Sequence, residues 1–141
     1  MPDTPVIVER LLNAPIDKVW KALTTKEDMD KWYFDIASFK PEVGFQFQFS
    51  GEGRNGEKYI HHCEIKELVP MKKISYSWRY EGMPGDSLVS FELTPEGHQT
   101  NIKVVHTGLE SFATDNPDFA KSSFTQGWEH IIGKSLVEYF S

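Results

Sequence analysis

The spacing of apolar positions changes period three times along the chain. Thr4 to Leu12 is β-branched and apolar enough to predict a strand. The period then becomes helical, with Ile16, Val19, Trp20 and Leu23 on one face of a short helix opened by Pro15, a residue suited to a first turn where an N–H has no partner. A second short helix is expected from Thr25, whose hydroxyl is placed to cap it while Asp28 stands in the first turn, and it carries Met29 and Trp32. Helices this short hold only when packed against something larger.

From Val43 the period becomes two. Val43, Phe45, Phe47 and Phe49 alternate with Gly44, Gln46, Gln48 and Ser50, and Gly51, Gly53, Asn55 and Gly56 mark a turn. The return strand, Lys58 to Val69, sets Tyr59, His61, Cys63 and Ile65 against Lys58, His62, Glu64 and Lys66, and Pro70 ends it. Ile74, Tyr76, Trp78 and Tyr80 then alternate with Lys73, Ser75, Ser77 and Arg79. After Gly82-Met83-Pro84-Gly85 come Val89, Phe91 and Leu93, a tight turn at Pro95-Glu96-Gly97, and a closing strand with Ile102, Val104 and His106 on one side.

The last segment returns to helical spacing. Phe119, Phe124, Trp128, Ile131, Ile132, Leu136, Tyr139 and Phe140 fall on one side and Lys121, Gln126, Glu129, Lys134 and Glu138 on the other. Pro117, capped by Asn116 or Asp115, is the expected start, and Ser123 with Gln126 offers a second. A helix from Pro117 to Phe140 would be about 36 Å long at ~1.5 Å per residue, close to the roughly 33 Å of a ten-residue strand. Gly127 and Gly133 lie inside it, where each costs roughly 1 kcal/mol against alanine, so they imply close packing or room for a ligand. The pattern therefore predicts an α+β fold: a curved six-stranded antiparallel sheet, two small helices after the first strand, and one long C-terminal helix covering the inner face.

Composition narrows the function classes. The 141 residues are expected to form a single domain, 1–141, and include four Trp, five Tyr and ten Phe, a supply of rings that suits a thick sheet–helix interface or an aromatic cavity. A net charge of -6 gives no electrostatic footprint for nucleic acid or an anionic membrane, and no apolar run approaches a membrane span. The one cysteine, Cys63, cannot form an internal disulfide; with no targeting segment seen, a reduced cytoplasmic setting is expected. No nucleophile triad, phosphate loop or zinc-protease motif is present, and the Gly51 to Gly56 run reads as a hairpin tip. No cofactor, metal site or catalytic set is therefore expected, although His61 and Cys63 share a strand face.

The order of elements, the segment Ala14-Pro15-Ile16-Asp17-Lys18-Val19-Trp20-Lys21-Ala22-Leu23-Thr24 followed by Trp32, the Glu64-Ile65 and Pro70 strand end before Ile74 to Trp78, and His106-Thr107-Gly108 with Gly127-Trp128 resemble the bacterial relatives of the C-terminal domain of the Hsp90 ATPase activator. That family lies in the START-like (START/Bet v 1-like) helix-grip superfamily, whose members include lipid carriers, hormone receptors and aromatic cyclases. The resemblance implies a cavity between the concave sheet and the long helix, faced by Phe45, Phe47, Tyr59, His61, Trp78, Phe91, His106, Phe124 and Trp128, with Trp32 near its mouth. The plain alternative for each ring is packing in a solid core. His61 and His106 point inward, where an imidazole either finds partners, orients a ligand, or acts as acid or base; His62 and His98 are expected to be solvated.

Phe112, Phe119 and the Met83-Pro84 loop are candidates to cover the mouth, with Gly85 and Gly108 as hinges. Three functions follow: binding of a small hydrophobic or aromatic molecule, with His61, His106 or Trp128 making its polar contacts; a chaperone contact in the manner of the Hsp90 activator, whose N-terminal domain has no expected counterpart here; and a cyclase- or hydrolase-like enzyme using a pocket histidine.

Overall fold

The structure is a computed structural model that describes residues 5–33, 36, 38–52, 58–82, 85–112 and 121–140. Strand β1 (Val6–Leu12) is followed by helices α1 (Ile16–Thr24) and α2 (Lys26–Trp32), then by β2 (Gln46–Glu52), β3 (Lys58–Val69), β4 (Lys73–Tyr80), β5 (Ser87–Glu96) and β6 (Gln99–Thr107). After a 3₁₀ turn (Leu109–Phe112), the terminal helix runs as α3 (Lys121–His130), a π-helical stretch (Ile131–Leu136) and a final α-turn, α4 (Val137–Tyr139). All six strands form one antiparallel sheet in the order β1-β6-β5-β4-β3-β2. The architecture is the expected helix-grip arrangement.

Alternation decides what the sheet buries. Val6, Val8 and Leu12 of β1, Phe47 and Phe49 of β2, Cys63 and Ile65 of β3, and Ile74, Tyr76, Trp78 and Tyr80 of β4 are buried, as are Val89, Phe91 and Leu93 of β5 and Ile102, Val104 and His106 of β6. From the helix side, Phe124, Trp128, Ile132 and Leu136 meet them. Helices α1 and α2 close one end through Val19, Leu23, Met29 and Trp32. Tyr139 ties the terminal helix to α2 by donating a short hydrogen bond to the Asp28 carboxylate.

Several local expectations are corrected. Val43 is exposed and precedes β2: Gly44 takes a positive φ of 92°, a left-handed conformation that glycine adopts freely, and so interrupts the extended run. Gly51 belongs to β2, paired with Tyr59, and not to the turn; Gly53, Asn55 and Gly56 lie outside the described residues. The Thr25 hydroxyl caps no amide of α2, and instead lies 2.9 Å from the Lys21 carbonyl and 2.7 Å from Asp28 Oδ2. Ser123 stands within α3 and does not start it, while Asp115, Asn116, Pro117 and Phe119 lie outside the described residues.

The long helix was expected to be α-helical throughout. Its π-helical stretch contains Gly133, where a Cβ would stand 3.1 Å from the Arg10 Nε. Close packing thus accounts for Gly133, but no described atom lies within 4 Å of the corresponding point at Gly127.

Candidate functional site

The interior between sheet and terminal helix is a continuous network of rings centred on Trp128. Its indole lies 5.4 Å from Trp78, 5.7 Å edge-on from Phe91, 5.9 Å from His106 and 6.5 Å nearly parallel to Tyr33, all between ring centroids. These are contact distances for aromatic pairs. Trp128 therefore fills the space between the helix and the middle of the sheet.

A second group surrounds His61. Phe49 stacks on its imidazole at 4.5 Å and 14°, with Trp78 and Tyr80 at 4.8 and 4.7 Å. Phe47 meets the Tyr76 edge at 5.0 Å, and Phe112 joins Tyr80 at 5.2 Å to Phe124 at 6.1 Å.

Of the residues expected to face a cavity, Phe47, His61, Trp78, Phe91, His106, Phe124 and Trp128 are brought together and buried. Phe45 and Tyr59 are half-buried at the periphery, Phe45 against Phe39 and Phe47 and Tyr59 against Tyr80. Trp32 is not at a mouth: it is 4% exposed, and its indole donates to the Ala22 carbonyl at 2.8 Å, so it locks α2 onto α1.

The two inward histidines differ in how they are held. Trp128 Nε1–H donates to His106 Nδ1 at 3.0 Å, which leaves the ring proton on Nε2, 2.8 Å from the Ser87 hydroxyl oxygen. Ser87 in turn donates to the Trp78 carbonyl at 2.7 Å. Both ring nitrogens of His106 are engaged, so the tautomer is fixed by its neighbours. Burial, assisted by His61, drives its pKa down to about 3.

His61 Nδ1 faces two acceptors, the carbonyls of Tyr59 at 3.1 Å and Phe49 at 3.3 Å, and so carries the proton. Burial lowers its pKa to about 4, against the opposing pull of those carbonyls. Both imidazoles are neutral at physiological pH. Cys63 is buried and its thiol is pushed far up by desolvation, so it behaves as a small hydrophobe. Among the described residues no group of three His, Cys, Asp or Glu could hold a metal ion.

Sequence reasoning missed a pair of tyrosines. The Tyr33 and Tyr76 hydroxyls lie 2.5 Å apart within the ring network, both held neutral by burial. Tyr76 shares the face of Trp78 by simple alternation and was legible there. Tyr33 follows α2 with no periodic signal, and only the fold carries it to Tyr76.

The candidate hinges are clamped. Gly85 has a φ of 106°, and a Cβ on it would meet the Ser111 carbonyl oxygen at 2.5 Å; Gly108 packs against Asp86 and Ser87. Ser111 stitches this corner, its hydroxyl accepting from the Asp86 amide at 2.8 Å. Phe112 is buried as part of the ring network, while Met83, Pro84 and Phe119 lie outside the described residues.

Residues 13–141 match the model of the Activator of Hsp90 ATPase homolog 1-like protein family. Among solved structures, MLL2253 from Mesorhizobium loti is 28% identical with a TM-score of 0.75, over 97% of this chain and 98% of that one. CV1439 from Chromobacterium violaceum is 22% identical with a TM-score of 0.79, over 97% and 96%. DynU16, a protein of the dynemicin biosynthetic locus, is 22% identical with a TM-score of 0.78 over 98% of this chain, which spans 47% of its length. No curated protein matches the sequence. Among the described residues no helix is long and apolar enough to cross a membrane.

Proposed function

Since the chain belongs to the Activator of Hsp90 ATPase homolog 1-like family, we propose that it binds a small, uncharged, mostly apolar molecule between the concave face of the sheet and the terminal helix. The observation that carries this reading is the make-up of the interior: a continuous wall of rings with the Tyr33–Tyr76 hydroxyl pair set into it. A ring wall with a few placed polar groups is the usual lining of a small-molecule site. Charge is excluded, because no Asp, Glu, Lys or Arg is buried among the described residues and an unpaired ion there would lose its hydration without compensation.

Trp128 occupies the centre of that space, so a ligand enters as its side chain gives way. The π-helical stretch that begins three residues later supports such movement, since i→i+5 turns inside α-helices are frequently found at functional sites. In this reading Trp78, Phe91 and Phe47 clasp the ligand, and Tyr33 or Tyr76 bonds its one polar group.

Titration with 1-naphthol tests this reading. Saturable binding by calorimetry is expected, with a shift of the Trp128 indole N–H resonance, weakening at least tenfold in Phe47→Ala and severalfold in Tyr76→Phe. Absence of saturable binding, or binding indifferent to both substitutions, would overturn it.

A second reading, stimulation of a chaperone ATPase, is favoured by the family match over residues 13–141. Its test is the ATP turnover of a purified Hsp90-type chaperone with the protein in saturating excess, and unchanged turnover removes it. Catalysis by His106 finds no support, because both of its ring nitrogens already serve the Trp128–Ser87 chain.

A further inference from the structure

The face of the sheet turned away from the terminal helix carries a groove of about 360 Å³, and of the residues lining it the ligand-binding reading uses only Phe47. Its floor is built from two rows of side chains lying across β2, β3 and β4. In one row Gln48 pairs with His62 and His62 with Arg79. In the next, Gln46 pairs with Glu64, whose backbone N–H donates to the Ser77 hydroxyl at 2.9 Å. Ser38, from the segment before β2, closes one side. With strands ~4.8 Å apart and alternate residues ~7 Å apart, the six side chains cover roughly 10 by 7 Å, a patch the size of one small planar molecule.

The charges in this groove are unevenly matched. Glu64 is already engaged, its carboxylate accepting from Lys66 at 3.2 Å and from Gln46 at 3.3 Å. His62 lies 3.3 Å from Glu81. Arg79 is exposed and makes no hydrogen bond or ion pair with any described residue, and the Gln48 amide beside it makes none. An open guanidinium next to amide and hydroxyl donors matches the two oxygens of a carboxylate, which arginine holds with two parallel bonds. The volume falls at the small end of the ~300–1,000 Å³ span of small-molecule sites.

The sheet itself is opened at this place. The β3–β4 ladder pairs His62 with Arg79 and next pairs Ile65 with Tyr76, and between these the Glu64 amide turns to the Ser77 side chain. Ser77 faces this side by strand alternation, since the pairs flanking it keep one register, and its hydroxyl thereby stands in the floor.

We propose that this groove is a second binding site, separate from the ring-lined interior, and that it takes a small organic carboxylate with Arg79 on the carboxylate and Gln46, Gln48 and Ser77 along its body. The two sites select opposite chemistries: the interior excludes charge, and the outer groove requires it.

The test is a titration of the ¹⁵N-labelled protein with sodium benzoate at constant ionic strength, following the Arg79 Nε–H and the Gln46 and Gln48 side-chain amides. Saturable shifts of these signals are expected, with the Trp128 indole N–H unmoved. Benzyl alcohol, the neutral analogue, should leave the groove signals unshifted, and Arg79→Gln, an exposed substitution, should weaken benzoate binding at least tenfold. Non-saturating shifts, equal shifts with benzyl alcohol or inorganic phosphate, or full binding in Arg79→Gln would each overturn the proposal. Movement of Trp128 alone would place benzoate in the interior, defeating the outer site and, with it, the exclusion of charge from the interior.

Discussion

The bond between Trp128 and His106 lends itself to a double-mutant cycle. Both side chains are essentially inaccessible, at 2% and 0% exposure, and the indole N–H has His106 Nδ1 as its acceptor at 3.0 Å. In His106→Phe the indole N–H is left buried without an acceptor, which costs about 1–3 kcal/mol. Ser87 loses its interaction with the ring but keeps its bond to the Trp78 carbonyl, so it adds less than that. In Trp128→Phe the imidazole nitrogen is orphaned instead, and the smaller ring leaves a gap worth roughly another 1–2 kcal/mol.

The double variant removes both orphaned groups together. It should therefore be more stable than the sum of the single losses predicts, by roughly 1–3 kcal/mol. Urea unfolding followed by far-ultraviolet circular dichroism measures all four proteins without relying on tryptophan emission. A coupling energy below about 0.5 kcal/mol, the ordinary scatter of independent sites, would refute the view that this bond fixes Trp128.

His61 and His106 stay neutral when folded, with pKa values of about 4 and 3, while the unfolded chain protonates them near 6.5. The unfolded state therefore binds more protons as pH falls below 6.5, and stability should drop by about 2 kcal/mol per histidine between pH 7 and pH 5; urea midpoints at the two values check this, and a flat profile contradicts it. Burial raises the Asp28 pKa, but hydrogen bonds from Tyr139 and Thr25, with Lys21 and Lys31 nearby, outweigh it and hold the carboxyl below its usual range. Tyr139→Phe should thus destabilise by roughly 1 kcal/mol at pH 7, a difference that vanishes as acid protonates Asp28, and a loss of equal size at pH 2 would show that the bond does not depend on the carboxylate's charge. Gly127→Ala should raise stability by about 1 kcal/mol through helix propensity, whereas Gly85→Ala, at a φ of 106° and with a Cβ 2.5 Å from the Ser111 oxygen, should lose at least about 3 kcal/mol; thermal melts of the pair give the comparison.

Much of this molecule is determined by one-dimensional pattern. A period of two at Phe47 and Phe49, at Ile74, Tyr76 and Trp78, and at Ile102, Val104 and His106 assigns strand faces, because successive residues of a pleated strand point oppositely whatever their neighbours do. Helical spacing at Phe124, Trp128, Ile132 and Leu136 marks the covering face in the same way, and with short connections these faces leave few ways to close a core. The inward direction of His61 and His106 follows from that alternation alone.

Other features depend on distances between residues far apart in the chain. The Tyr33–Tyr76 hydroxyl pair, the Asp28–Tyr139 clasp and the Trp128–His106–Ser87 bonds link positions with no shared period, and they exist only once α2, the sheet and the terminal helix have docked. Trp32 shows the same limit from the other side: its spacing marks it as apolar and helical, but only the crossing of α1 and α2 brings the Ala22 carbonyl to its indole and makes it a lock between helices. The bond from the Glu64 amide to the Ser77 hydroxyl beside Arg79 is likewise invisible to alternation, since it leaves the register, and therefore the residues that face the core, unchanged.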